Sequence, residues 1–241
     1  MSVTTEKTVG ELALENPSAT RVFEKLGIDY CCGGGQTLEQ ACQAAHVSVN
    51  QVADSLAAVS QPASATAQDR NWQDEPLAEL LSHIRRTHHV YTRDEIARLG
   101  PLFDKVCSVH GGNHPELTSL REIFSGLARE LTTHLMKEEM VLFPYILLME
   151  EAVVAKEPAL PPPFGSVRNP VAMMMNEHDG AGSALRHMRE ISSGYAPPPD
   201  ACASFRTLYQ ALAAFEADLH QHIHLENNLL FPRAIEMERA R

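Results

Sequence analysis

The segment HLMKEEMVLFP that begins at His134 returns 88 residues later as HIHLENNLLFP, beginning at His222. In both copies a histidine is followed by Glu four positions on, and by Phe-Pro five and six positions beyond that Glu. Self-similarity at this level indicates one structural unit used twice. The match extends upstream at the same offset. Leu117, Leu120, Phe124, Leu127 and Leu131 in the first copy correspond to Phe205, Leu208, Leu212, Phe215 and Leu219 in the second. Alternating steps of three and four are the seam of a packed helix, so each copy is predicted to be a long helix burying this stripe in a bundle.

Continuing each seam by the same steps lands on His134 and Glu138 in one helix and on His222 and Glu226 in the other. Ionisable groups therefore fall on core positions. An uncompensated buried carboxylate costs several kcal/mol, and two facing each other repel. A multivalent cation is a strong compensation, and a His and a Glu at i and i+4 lie about 40° apart around a helix, so both can reach one centre. The other two helices are expected to contribute His89 and His178, which precede His134 and His222 by 45 and 44 residues. About 14 residues down one helix and 17 back up the next return the chain to the same level.

The candidate metal ligands are thus His89, His134, Glu138, His178, His222 and Glu226. Two histidines per metal with both glutamates bridging, plus an oxo or hydroxo bridge, leave each of two metals an open position. Mixed imidazole and carboxylate ligation of this kind favours iron, with manganese also possible, and does not resemble structural zinc. The bland alternative is a duplicated bundle whose buried polar groups only hydrogen-bond one another. His220 and His224 lie about 200° from His222 on the helix and are expected at the surface or in loop contacts. His88 is read as a surface or supporting residue, and Glu139 and Glu177 either support the ligands or form a solvated face. His46, His83, His110, His114 and His187 have no partner in the repeat and are read as structural or solvated.

The rest of the chain is also helical in pattern. Residues 1–59 read as a small module with helices near 9–14, 17–26, 38–45 and 49–59, residues 60–75 as a polar linker, and residues 76–241 as the bundle. Its four helices are expected at about 76–106, 115–150, 170–193 and 200–238, with Pro76, Pro115 and Pro170 at first turns and Asp200 as an N-cap. The formal net charge is −11 with no concentrated Lys/Arg run, which disfavours nucleic acid and anionic membrane as partners. No leader pattern or membrane-spanning stretch is evident, and five irregularly spaced cysteines do not make a secreted disulfide framework, so a cytoplasmic setting is expected. Cys42, Cys107 and Cys202 are expected to be small core residues. The adjacent Cys31 and Cys32 lie in a glycine-rich loop and are candidates for redox chemistry, with a simple loop turn as the alternative.

Four segments carry a family resemblance: His88-His89-Val-Tyr-Thr-Arg-Asp-Glu, His134-Leu-Met-Lys-Glu138, Asn176-Glu-His178-Asp and His222-Ile-His-Leu-Glu226. Together they resemble the ligand segments of the hemerythrin-like di-iron family that repairs iron centres. The segment Ile28-Asp-Tyr-Cys31-Cys32-Gly is similar to the ScdA-type module that precedes such bundles. The resemblance implies an all-α fold, a four-helix bundle preceded by a small helical module, with a non-haem centre of two iron ions. It further implies repair of iron–sulfur proteins damaged by nitrosative or oxidative stress, with iron released from that centre. Nitric oxide binding or its reduction to nitrous oxide is the alternative activity, and nitric oxide or oxygen species are the implied small ligands. Oxygen transport is disfavoured, because the further histidine ligand of oxygen carriers has no obvious counterpart. The module could dock against a second copy of the chain or a client.

Overall fold

The computed structural model describes residues 6–59, 71–157 and 161–240. Among these the fold is all-α, and the β-type pairing consists of one isolated bridge between Thr8 and Thr37. The chain divides into two compact units, Met1–Leu81 with His220–Arg241, and Ser82–Leu219.

In the first unit, α1 (Val9–Glu15) and α3 (Leu38–Ala44) both begin with capping boxes, Thr8 with Glu11 and Thr37 with Gln40. These satisfy amide groups that short helices otherwise leave exposed. Between them α2 (Ala19–Leu26) stops at Gly27, whose φ of 68° is left-handed. With α4 (Val49–Val59), these helices enclose a core of Val9, Phe23, Ile28, Tyr30, Leu38, Val52 and Leu56. The same unit holds most of α5 (Leu77–Ile84), the π-helical turn Glu226–Leu230 and α11 (Phe231–Arg239). α1 packs on that π turn, and Arg233 donates to the carbonyls of Trp72 (3.1 Å) and Glu75 (2.7 Å). Residues 71–75 of the expected linker are therefore tied down at two carbonyls, while 60–70 lie outside the described residues.

The second unit contains the π turn Arg85–His89, α6 (Val90–His110), α7 (Glu116–Lys137), the π turn Glu138–Leu142, α8 (Phe143–Ala155), α9 (Arg168–Ile191) and α10 (Ala203–Leu225) as far as Leu219. Its core is built by the predicted seams. Leu117, Leu120, Phe124, Leu127 and Leu131 pack with Phe205, Leu208, Leu212, Phe215 and Leu219, joined by Leu99 and Phe103 from α6 and Leu185 and Met188 from α9. Phe124 sits at their meeting point, with ring centroids 5.1 Å from Phe103 and 5.8 Å from Phe215.

The four expected bundle helices are present, but three of them are interrupted by a five-residue π turn. Period and composition did not indicate these. The first ends at His89, the second begins at Glu138 and the third at Glu226, the equivalent repeat position. A π turn inserts one residue into the helical ladder and re-aims the side chains around it, which is why such turns recur at functional sites. No helix among the described residues is long and apolar enough to cross a membrane.

Candidate metal centre

In the second unit, α7 delivers His134 and the π turn that follows it delivers Glu138, one turn later; the π turn before α6 delivers His89; and α9 delivers His178. All four are buried, with Glu138 and His89 at zero exposure. The two carboxylate oxygens of Glu138 face different imidazoles. Oε2 lies 3.5 Å from His89 Nε2, and Oε1 lies 3.3 Å from His134 Nε2. His178 Nε2 lies 3.1 Å from His134 Nε2. Glu138 thus meets His89 through Oε2 and, through Oε1, His134, which has His178 beside it.

The outer nitrogens are fixed by carboxylates. His89 Nδ1 is 2.8 Å from Glu139 Oε1, which also takes Arg93 at 3.0 Å, and His134 Nδ1 is 2.8 Å from Glu177 Oε2, whose other oxygen takes Lys137. Burial alone would raise both carboxyls, but hydrogen bonds and charge from these partners outweigh it and hold Glu139 and Glu177 below the ordinary carboxylate range. An ionised carboxylate on Nδ1–H sets the tautomer and leaves Nε2 as a lone pair aimed inward. In that tautomer a lone pair of His89 or His134 faces an oxygen of Glu138 in a dry interior, which is unfavourable unless a proton or a metal lies between them. The donors, mixed nitrogen and carboxylate oxygen without thiolate, fit an iron centre. A groove of about 550 Å³ opens between α7 and α9 onto His134 and His178, lined also by Glu130, Lys137, Asn176 and Glu177.

The remaining two predicted ligands belong to the first unit. His222 Nε2 lies 3.1 Å from Glu226 Oε1, one turn apart and both buried. Beside them the structure corrects one expectation. His224 is buried, its ring 5.3 Å from that of Tyr30, and His220 Nδ1 is 2.7 Å from Glu24 Oε1. Helical angle indicates which way a side chain points but not what covers it, and here the amino-terminal helices do. Burial, partly offset by a hydrogen bond to the Tyr30 backbone, lowers His224 to about 4.

Cys31 and Cys32 are free thiols with sulfurs 4.0 Å apart, but the loop does not expose both. Cys31 is buried, its thiol 3.3 Å from Asp29 Oδ1, and that oxygen also accepts from the amides of Cys31, Cys32 and Gly33. The hydrogen bond with Cys32, followed by burial, raises the Cys31 thiol well above its ordinary value. Asn228 Nδ2 donates to the carbonyls of Tyr30 (3.1 Å) and Cys31 (3.4 Å) and to His224 Nδ1 (2.9 Å), clasping the cysteine loop to the turn that carries Glu226. Cys42 is in the core as expected, whereas Cys202 is exposed, because it lies ahead of α10 rather than on its seam. Of the two readings open for Glu139 and Glu177, the structure shows contact with His89 and His134. Position next to a ligand was the signal, and only packing could tell support from solvation.

Two family matches divide the chain: residues 5–60 match the ScdA_N domain, described as a domain of unknown function (DUF542), and residues 80–234 match the hemerythrin HHE cation binding domain. Among curated proteins, the chain is 35% identical to the iron-sulfur cluster repair protein YtfE of Pectobacterium carotovorum, over 97% of this chain and 98% of that protein. It is 36% identical to YtfE of Cronobacter sakazakii over the same shares, and 34% identical to that of Escherichia coli O81 over 95% and 97%.

Proposed function

Because the chain belongs to the hemerythrin-like family of iron–sulfur cluster repair proteins, we propose that it restores damaged clusters from a non-haem centre of two iron ions held by His89, His134, Glu138, His178, His222 and Glu226. The observation that carries this reading is Glu138, whose two oxygens each face a different imidazole. Support for the other half comes from the repeat. Glu226 occupies the position equivalent to Glu138, opens the equivalent π turn and is equally buried, and His222 continues the seam of Phe205 to Leu219. The two carboxylates and four imidazoles would hold the two irons, and mixed nitrogen and oxygen ligation of this kind would supply redox-active iron to small ligands.

In this reading the iron centre supplies redox-active Lewis acidity and exchangeable iron, the latter being cargo for the client cluster. The protein's own groups set how firmly that cargo is held. Nδ1–H of His89 and His134 donates to Glu139 and Glu177, which makes each Nε2 a stronger donor, and Lys137 and Arg93 neutralise the outer carboxylates. The groove beside His134 and His178 supports access by nitric oxide or oxygen species and an exit for iron. Five free cysteines suit a reducing cytoplasm. We assign Cys31 and Cys32 a redox part in repair: adjacent thiols 4.0 Å apart could close to a vicinal disulfide, passing two electrons to an oxidatively damaged client cluster and releasing two protons.

Anaerobic metal analysis with Mössbauer spectroscopy, coupled to recovery of a damaged aconitase-type cluster, tests the proposal. Two irons per chain, transferred during recovery, are expected. Absence of stoichiometric transition metal, or recovery that leaves protein-bound iron untouched, overturns it. Stoichiometric nitrous oxide from the reduced protein would instead assign nitric oxide reduction. A Cys31→Ser/Cys32→Ser protein that repairs at the normal rate removes the role given to the thiols.

A further inference from the structure

At the other end of α6, about 30 Å of helix from His89, a second group of donors comes together. His110, His114 and Asp200 offer ligand atoms that all lie within 4.8 Å of one another. They come from the last residue of α6, the turn before α7 and the stretch leading into α10.

His114 meets carboxylates at both ring nitrogens. Its Nε2 lies 3.1 Å from Asp200 Oδ2 and 3.2 Å from Oδ1, and its Nδ1 lies 2.9 Å from Glu116 Oε1. A neutral imidazole has a single N–H and can satisfy only one of them; the other nitrogen then presents its lone pair to an oxygen lone pair. A cation must occupy that nitrogen, either a second proton or a metal. The neighbouring ring decides between them. His110, 6.2 Å from His114 by ring centroids, has a buried Nε2 with no hydrogen-bond partner. A proton on His114 answers the Asp200 contact and leaves His110 unanswered, whereas a metal takes both imidazoles and the carboxylate together. Glu116 then plays for His114 the part that Glu177 plays for His134. Exposed Cys202 brings a thiol to the rim of the group.

We propose that His110, His114 and Asp200 bind a divalent metal of zinc type, which clips the α6–α7 turn to the start of α10. Imidazole, carboxylate and a nearby thiol suit zinc, with the fourth position open. The site shares no residue with the iron centre.

The test uses the full chain loaded with iron, so that the first centre is filled, and Zn2+ alone as the probe. Titration calorimetry and metal analysis after gel filtration are expected to show one further equivalent of zinc per chain. Asp200→Asn and His114→Gln should each weaken that binding by at least about a hundredfold, and Glu116→Gln by about tenfold. Iron content and helical circular dichroism should stay unchanged in all three. No additional equivalent of zinc, or zinc binding indifferent to Asp200→Asn and His114→Gln in folded, iron-loaded protein, overturns the proposal.

Discussion

His134 Nδ1 lies 2.8 Å from Glu177 Oε2, an interaction between α7 and α9 that holds the imidazole from outside while its Nε2 turns to Glu138. Such outer carboxylates typically account for 10–100-fold in metal affinity. Glu177→Ala is therefore expected to lower iron affinity by about that factor without unfolding the bundle. Competition with a chelator, followed by absorption of the ferric protein, measures it; unchanged affinity would show that the contact is incidental.

Glu138 predicts a difference in how iron acts on stability. A ligand that binds only the folded state stabilises it by RT ln(1 + [L]/Kd), about 4 kcal/mol at a thousandfold excess over Kd. Ferrous iron should raise the Tm of the normal protein and leave that of Glu138→Ala nearly unmoved. An equal rise in both would remove Glu138 from the ligand set.

The buried ring of His224 carries a pH dependence. Its folded pKa of about 4 lies below the ordinary value near 6.5, so the unfolded chain takes up a proton that the folded chain refuses. Its packing is at full strength above about pH 6.5 and is eroded as pH falls from there towards 4, by about 1.4 kcal/mol per pH unit. Urea unfolding between pH 7 and 5 should show this slope in the normal protein and a flatter one in His224→Gln. Parallel slopes would contradict the assignment.

Gly10 sets two local effects against each other. Alanine is the better helix former by about 1 kcal/mol, but a Cβ at Gly10 would stand 2.8 Å from the Gly34 carbonyl oxygen and 3.1 Å from Asn228 Oδ1. The nearer obstacle is backbone, which yields poorly, and overpacking of this kind costs about 1–3 kcal/mol. Gly10→Ala should therefore lose stability, and its cysteine loop should become easier to alkylate at Cys31. A gain in Tm would mean that the approach of α1 to that loop is looser than the contacts indicate.

Much was legible in the chain itself, because a bundle seam is a one-dimensional signal. Steps of three and four through Leu117 to Leu131, repeated through Phe205 to Leu219, specify which helix faces meet, and continuing them reaches His134, Glu138, His222 and Glu226. The all-α class and the helices that carry these residues follow from that periodicity. Tertiary structure decided the rest. The π turns at His89, Glu138 and Glu226 depend on packing forces that insert a residue into the helical ladder, and periodicity has no term for them. The partners of His134 and His224 come from residues far along the chain, Glu177 and Tyr30. Whether a polar side chain beside a ligand supports it, meets solvent or lies under another helix is settled by those distant neighbours, because burial and hydrogen bonding are properties of contact and not of sequence order.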